Sequence, residues 1–152
     1  MRYIVTGGTK FQRHVAKATV DYMSNTLKLT RFPSLTVEII LKVLEDGYKG
    51  FCIAESANDK IVKPRSFVVE INKGCTLMEF ITTICHEMIH VKQYAFGEIQ
   101  EDFRKGRSHW KTKTVPAFTS YIDQPWEKEA FKYEVQYAFE VFGQVDINFN
   151  GE

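Results

Sequence analysis

The sequence has no long hydrophobic segment, few cysteines and almost no net charge. No apolar run is long enough to cross a bilayer, and the apolar run within residues 1–8 is too short for a signal peptide. The three cysteines, Cys52, Cys75 and Cys85, have no framework spacing, which argues against a disulfide-stapled secreted domain. We therefore expect a cytoplasmic protein with no membrane partner.

The balance of charge and the length exclude further classes. A formal net charge of +1, with 26% charged residues, produces no global field that would demand a nucleic-acid partner. A chain of 152 residues with 44% hydrophobic content has the size of one domain with its own core. We expect residues 1–152 to form a single domain.

The first half of the chain alternates between helical and strand periodicity. Apolar residues recur at helical spacing in residues 9–26 and alternate with polar ones in residues 35–43. Residues 51–54 and 66–72 have the pattern of two further strands. This order predicts a helix followed by a meander of strands.

The second half contains the two best helix signals. Thr76 and Glu79 form a capping box, after which apolar residues keep a 3.6-residue period until Gly97. A last helix begins around residues 123–125, with a capping residue and a proline in its first turn, and ends at Gly143. Between them, residues 98–124 show little periodicity, which is typical of a functional or disordered loop. The chain is therefore predicted to be α+β, with a small mixed or antiparallel sheet packed on these two helices.

The segment His86-Glu87-Met88-Ile89-His90 lies in the middle of the first of these helices. Residues four apart project from the same helix face, so the two imidazoles can bind one metal ion together. Glu87 is turned about a quarter of the helix away, where its carboxylate can act as the base for a metal-bound water. This H-E-x-x-H arrangement predicts a zinc site with Glu87 as the catalytic residue.

A catalytic zinc site needs a third protein ligand, and the last helix supplies candidates. Its apolar stripe is predicted to consist of Phe131, Val135, Ala138 and Phe142. One turn before Phe131 lies Glu127, which should therefore point inward, whereas Glu129 falls on the polar face. We favour Glu127 as the third ligand.

Three further residues could belong to the site or to the fold. Glu134 lies on the inward arc, and it either orients a ligand histidine or extends from the edge of the core to solvent. Cys85 differs from both histidines by a large helical rotation, so we interpret it as a small buried residue. His14, on the first helix, is interpreted as a surface or core histidine.

The motif at residues 86–90, followed by Glu127 and Ala130 in a Glu-x-x-Ala setting, resembles the small gluzincin metallopeptidases. The resemblance covers about residues 60–142 and implies a zincin-like fold, bound Zn²⁺ and hydrolysis of peptide bonds. It also implies an edge strand ahead of the active-site helix that binds substrate backbone, a place that residues 66–72 occupy in the order. Many gluzincins carry Asp or Asn after the alanine to support a ligand histidine, but this chain has Phe131.

A second resemblance is to Spartan-like (SprT-like) proteases, which take a third histidine from downstream. Here that residue is His109, and Trp110 stands where those proteases have glycine. The basic and aromatic run from Arg104 to Lys113 would then contact nucleic acid, so that the substrates are DNA-associated proteins; otherwise this run is a solvated loop, the commoner case. A non-catalytic zinc-binding interaction protein is the third alternative.

The expected mechanism follows from the gluzincin ligand set. Zinc is held by the predicted ligands His86, His90 and Glu127. It polarises the scissile carbonyl and activates a water. Glu87 takes the proton of that water and passes it to the leaving amine of a peptide or protein substrate. Tyr121 or His109 could donate to the developing oxyanion, and each could equally be a packing or surface residue, so the sequence assigns neither.

Overall fold

Three helices and two sheets make up the part of the chain that the computed structural model describes, residues 1–55, 63–102 and 105–144. The elements in chain order are β1 (Arg2–Gly7), α1 (Lys10–Thr26), β2 (Thr36–Lys42), β3 (Gly50–Glu55), β4 (Ser66–Asn72), α2 (Leu77–Ala95), β5 (Ile99–Asp102), β6 (Arg107–Trp110), β7 (Lys113–Pro116) and α3 (Pro125–Phe142). This composition confirms the α+β class. No helix among these residues combines the length and the hydropathy needed to cross a membrane.

The larger sheet is mixed and has the strand order β1-β2-β4-β3. Strands β1, β2 and β4 are parallel, and β3 pairs antiparallel with β4. In β2 and β4 alternate residues are buried, and Ile39 lies opposite Val69 in this apolar layer. The helices α1 and α2 pack against the sheet, and α3 packs on α2.

Two expectations about this sheet are wrong. The strands do not form a meander, because β2 pairs in parallel with β4 and β3 lies beyond it. Strand β4, residues 66–72, is internal, so the edge strand next to helix α2 is β3. Alternating hydropathy identifies a strand and its buried face but is the same for every pairing order. Strand β1 was not predicted, because its apolar run is short.

Helix α2 is buried around most of its circumference. Its capping box is present as predicted: the Thr76 hydroxyl accepts from the backbone N–H of Glu79, and the Glu79 carboxylate accepts from the backbone N–H of Thr76. The sheet covers one side of the helix and α3 covers another. Polar side chains in the middle of α2 are therefore enclosed between two layers.

The segment 98–124 contains a sheet of its own. Strands β5, β6 and β7 form an antiparallel sheet, and Ile99, Trp110 and Val115 pack together beside Tyr94 and Trp126. The expectation of little regular structure is wrong for these strands, which at four residues each are too short to produce a periodic signal.

Helix α3 begins with Pro125 as expected, but its other signals differ. Its N-cap is Gln124, whose side chain makes no capping hydrogen bond, and Asp123 ends the preceding 3-10 turn. The predicted apolar stripe is wrong except at Ala138: Phe131, Val135 and Phe142 are exposed. The buried face instead carries Glu127, Ala130, Ala138 and Val141. Its two alanines suit the close packing of α3 on α2, because small side chains let two helices approach each other.

Candidate metal centre

Three predicted ligands meet between α2 and α3. The Nε2 atoms of His86 and His90 lie 3.1 Å apart, and the Glu127 carboxylate places one oxygen 3.0 Å from His86 Nε2 and the other 2.8 Å from His90 Nε2. All three residues are buried, with exposures of 6–7%. They form a group that could hold a metal ion, and its ligand atoms all lie within 4.8 Å of one another.

The hydrogen bonds behind the two histidines fix their orientation. His86 Nδ1 lies 2.6 Å from a Glu134 oxygen, and His90 Nδ1 lies 2.7 Å from Oε1 of Gln93. Both partners are acceptors, so the neutral rings carry their protons on Nδ1 and present bare Nε2 atoms to Glu127. Three acceptors that converge in a buried space require a cation or additional protons between them.

The donor set and its spacing fit a divalent metal. Tetrahedral ligands about 2.0–2.1 Å from a zinc ion lie roughly 3.3 Å from one another, so the observed separations of 2.8–3.1 Å need only a small expansion. Two imidazoles and one carboxylate leave a fourth position open, as catalytic zinc sites do. Other first-row divalent ions also accept these ligands, so the geometry describes a group that could hold a metal ion and does not distinguish which metal.

Without a metal, protons would neutralise the same group. Burial disfavours the charged form of His86, but the carboxylates of Glu127 and Glu134 outweigh it and raise the pKa of His86 to about 9. Burial likewise opposes ionisation of Glu127, but His86 and His90 hold its pKa at about 2. The metal-free site is therefore an ion pair that a metal must displace.

Glu87 lies beside the three ligands and takes no part in their hydrogen bonds. Its side chain is buried, and burial raises its pKa although His90 and His86 act in the opposite direction. Within the described ranges, no hydrogen bond or ion pair to its carboxylate is found. A Cβ atom at Gly50 would lie 3.3 Å from Glu87 Oε1 and 2.7 Å from the methyl carbon of Thr83, so a glycine leaves room for this carboxylate.

Two cavities meet at Glu87. One of about 490 Å³ extends past His90 and is lined mainly by apolar and aromatic residues: Tyr48, Phe51, Cys52, Tyr94, Ile99, Tyr121 and Trp126. The other, of about 440 Å³, extends past His86 between Met78, Thr82 and Phe131. Tyr48, Gly50, Glu87 and Tyr121 line both cavities. The site thus has a cleft open on either side of Glu87.

Of the two interpretations of Glu134, the structure supports contact with a histidine, because the Glu134 carboxylate accepts a hydrogen bond from His86 Nδ1. Phe131 packs its ring 4.8 Å from that of His86. The polar support of His86 therefore comes from Glu134, one helical turn after Phe131.

His109 does not join this group. It lies on β6, where alternation puts it on the opposite face from the buried Trp110, and it lines neither cavity. The basic run is partly engaged within the chain, because Lys111 pairs with Glu129 at 3.4 Å and contacts the Trp110 ring. Arg104 lies outside the described residues.

The other residues considered from the sequence, Cys85, His14 and Glu129, lie outside the metal group. Cys85 is fully buried as expected, and burial raises its pKa to about 12. His14 lies on α1, outside the metal group. Glu129 is half-buried, which differs from the expected solvated glutamate, because Gln93 donates to it and Lys111 pairs with it.

Sequence reasoning missed two residues of the site. Gln93 is a polar residue inside an otherwise apolar helical stripe, one turn after His90, and that contrast could have revealed it. Gly50 carries no such signal, since nothing in the neighbouring sequence distinguishes it from an ordinary turn glycine.

Comparison with known proteins returns no matching family model, no matching curated protein and no matching solved structure. The interpretation of the site therefore rests on its own side chains, foremost His86, His90 and Glu127.

Proposed function

We propose that this protein is a zinc-dependent metallopeptidase. The observation that carries the proposal is the buried group of His86, His90 and Glu127, with the carboxylate of Glu87, which has no hydrogen-bond partner among the described residues, beside it where two cavities meet. A metal site that serves only stability is expected to be closed by a fourth protein ligand. Here three ligands converge, and the space next to them opens into a cleft.

The residues divide the chemistry among themselves. Bound Zn²⁺ would supply a Lewis acid that lowers the pKa of water and polarises a carbonyl. Glu87 accepts the proton of the attacking water, a role suited to a carboxylate whose pKa burial has raised. The same carboxylate then donates that proton to the nitrogen of the leaving amine, so Glu87 ends the cycle ionised.

Tyr121 is our choice for the donor to the developing oxyanion. It lines both cavities, and its ring packs edge-on against Phe131 at 6.1 Å. Burial and the nearby carboxylates raise its pKa, so the phenol keeps its proton at neutral pH and can donate it in a hydrogen bond. His109, the other candidate, lines neither cavity.

The substrate class is an internal segment of a polypeptide. Strand β3 is an edge of the sheet, and its residues Gly50, Phe51 and Cys52 line the cleft, so an extended peptide can pair with this edge. The cleft continues on both sides of Glu87, which leaves room for chain before and after the bond to be cleaved.

The test compares Glu87→Gln with the wild type after both are loaded with one equivalent of zinc. The exposed Glu38→Gln, on β2, is the control for removing a carboxylate elsewhere. With a quenched-fluorescent library of internal peptide bonds, we expect Glu87→Gln to keep its zinc and lose at least about 100-fold in cleavage rate. Equal cleavage by Glu87→Gln and the wild type would contradict the mechanism, and zinc binding without cleavage by the wild type would indicate a non-catalytic metal protein.

A further inference from the structure

Gln93 is a fully buried polar residue at the junction of three elements. It lies on α2, three residues after His90, and its exposure is 0%. Its amide contacts the first turn of α3, and through Glu129 it reaches the turn between β6 and β7. A buried amide of this kind is stable only when both of its ends are hydrogen-bonded.

Both ends of the Gln93 amide have partners of the correct polarity. The Nε2 group donates to the backbone carbonyl of Trp126 at 3.0 Å and to Glu129 Oε1 at 3.2 Å. A carbonyl oxygen only accepts, so this contact fixes which end of the amide is nitrogen. Oε1 therefore faces His90 Nδ1, at 2.7 Å, and can only accept from it.

These contacts connect two metal ligands on different helices. On α2 the amide holds the proton of His90 on Nδ1 and so leaves Nε2 bare toward the site. On α3 it holds the carbonyl of Trp126, the residue directly before Glu127. We propose that Gln93 is a positioning residue that sets two of the three ligands, His90 and Glu127, for metal binding; this inference rests on the metal site of the proposed function.

The chemistry of the position calls for glutamine. A glutamate could accept from His90 but could not donate to the Trp126 carbonyl, and it would place a second carboxylate against Glu129. A methionine of similar length fills the space and makes neither bond. His86 is supported differently, by the Glu134 carboxylate, so removing the Gln93 amide should disturb one histidine and leave the other in place.

The network continues to the protein surface. Glu129 accepts from Gln93 with one oxygen and pairs with Lys111 through the other, at 3.4 Å. Lys111 belongs to the turn between β6 and β7, and the neighbouring Trp110 ring lies 6.4 Å from that of Trp126. The sheet of β5, β6 and β7 thus contacts the first turn of α3 through Lys111 and Trp110.

The test measures zinc affinity by competition with a chelator for the wild type and Gln93→Met. Gln136→Met, an exposed position on α3, is the matched control. We expect Gln93→Met to bind zinc roughly 10- to 100-fold more weakly than the wild type and Gln136→Met to bind as the wild type does. Nitrogen-15 spectra of the imidazoles add a second readout: the Nδ1–H signal of His90 should be lost in Gln93→Met, while that of His86 is retained.

A compensating pair separates positioning from packing. In Gln93→Glu with Glu129→Gln, the carboxylate accepts from His90 and the amide at position 129 donates to that carboxylate. We expect this double variant to recover the His90 Nδ1–H signal and part of the lost affinity. Wild-type affinity in a folded Gln93→Met would overturn the inference, as would an unchanged His90 signal in that variant. Neither result depends on cleavage, so a wild type that binds zinc without hydrolysing peptides would refute the proposed function alone.

Discussion

The metal-free protein should lose stability as the pH rises above 6.5, because of one histidine. In the folded state Glu127 and Glu134 outweigh burial and raise the pKa of His86 from 6.5 to about 9. A raised pKa stabilises the fold fully below pH 6.5, and that contribution is lost as the pH rises through about 9. The difference between the folded and unfolded pKa of His86, at about 1.4 kcal/mol per pKa unit, corresponds to about 3 kcal/mol of unfolding free energy.

The measurement is urea unfolding of chelator-treated protein between pH 6 and 10. His86→Gln, which cannot titrate at this position, gives the contribution of all other groups, so the quantity of interest is the difference between the two pH profiles. Zinc replaces the proton on His86, so its affinity should increase over the same pH range and the zinc-saturated protein should not show the loss. Parallel profiles for wild type and His86→Gln would refute the argument that the carboxylates hold a proton on this ring.

Three further substitutions test the surroundings of the site. Gly50→Ala puts a Cβ 2.7 Å from the Thr83 methyl carbon and 3.3 Å from a Glu87 oxygen, so we expect a loss of about 1–3 kcal/mol in denaturant unfolding, relieved in part by adding Thr83→Ser. Thr76→Ala removes the helix cap of α2 and should cost about 1 kcal/mol in the same assay without changing zinc stoichiometry, whereas a loss of zinc would mean that the cap also shapes the site. If Tyr121 is the oxyanion donor, Tyr121→Phe should lower the cleavage rate about 100-fold at unchanged zinc affinity; an unchanged rate would exclude it.

The local features of the fold were readable from the sequence where one element carried a complete signal. Helix α2 has a capping box and a long apolar period, and both its start and its histidine pair were placed correctly. Strands β2 and β4 were also placed correctly because alternation over seven residues leaves little ambiguity. The four-residue strands β5 to β7 were missed because a strand of that length places only two residues on each face, too few to show alternation.

Helix α3 shows how a correct residue can follow from a partly wrong pattern. The inward position of Glu127 was inferred from a stripe that included Phe131, yet Phe131 is 48% exposed and the buried neighbour is Ala130. Hydropathy ranks phenylalanine above alanine for burial, but the closeness of two packed helices favours the small side chain. Glu127 and Ala130 lie on one face with Glu134, which a stripe drawn through alanines would have identified.

The sequence by itself determined that two histidines and a glutamate share one turn of α2, because helical geometry relates residues four apart without any tertiary contact. The tertiary structure decided what lies opposite them. It brought Glu127 and Glu134 to His86 across the α2–α3 interface, made β3 an edge strand of the larger sheet, and left His109 on the separate three-stranded sheet. Such contacts join residues far apart in the chain, and their geometry is set by how helices and strands pack, which no local periodicity records.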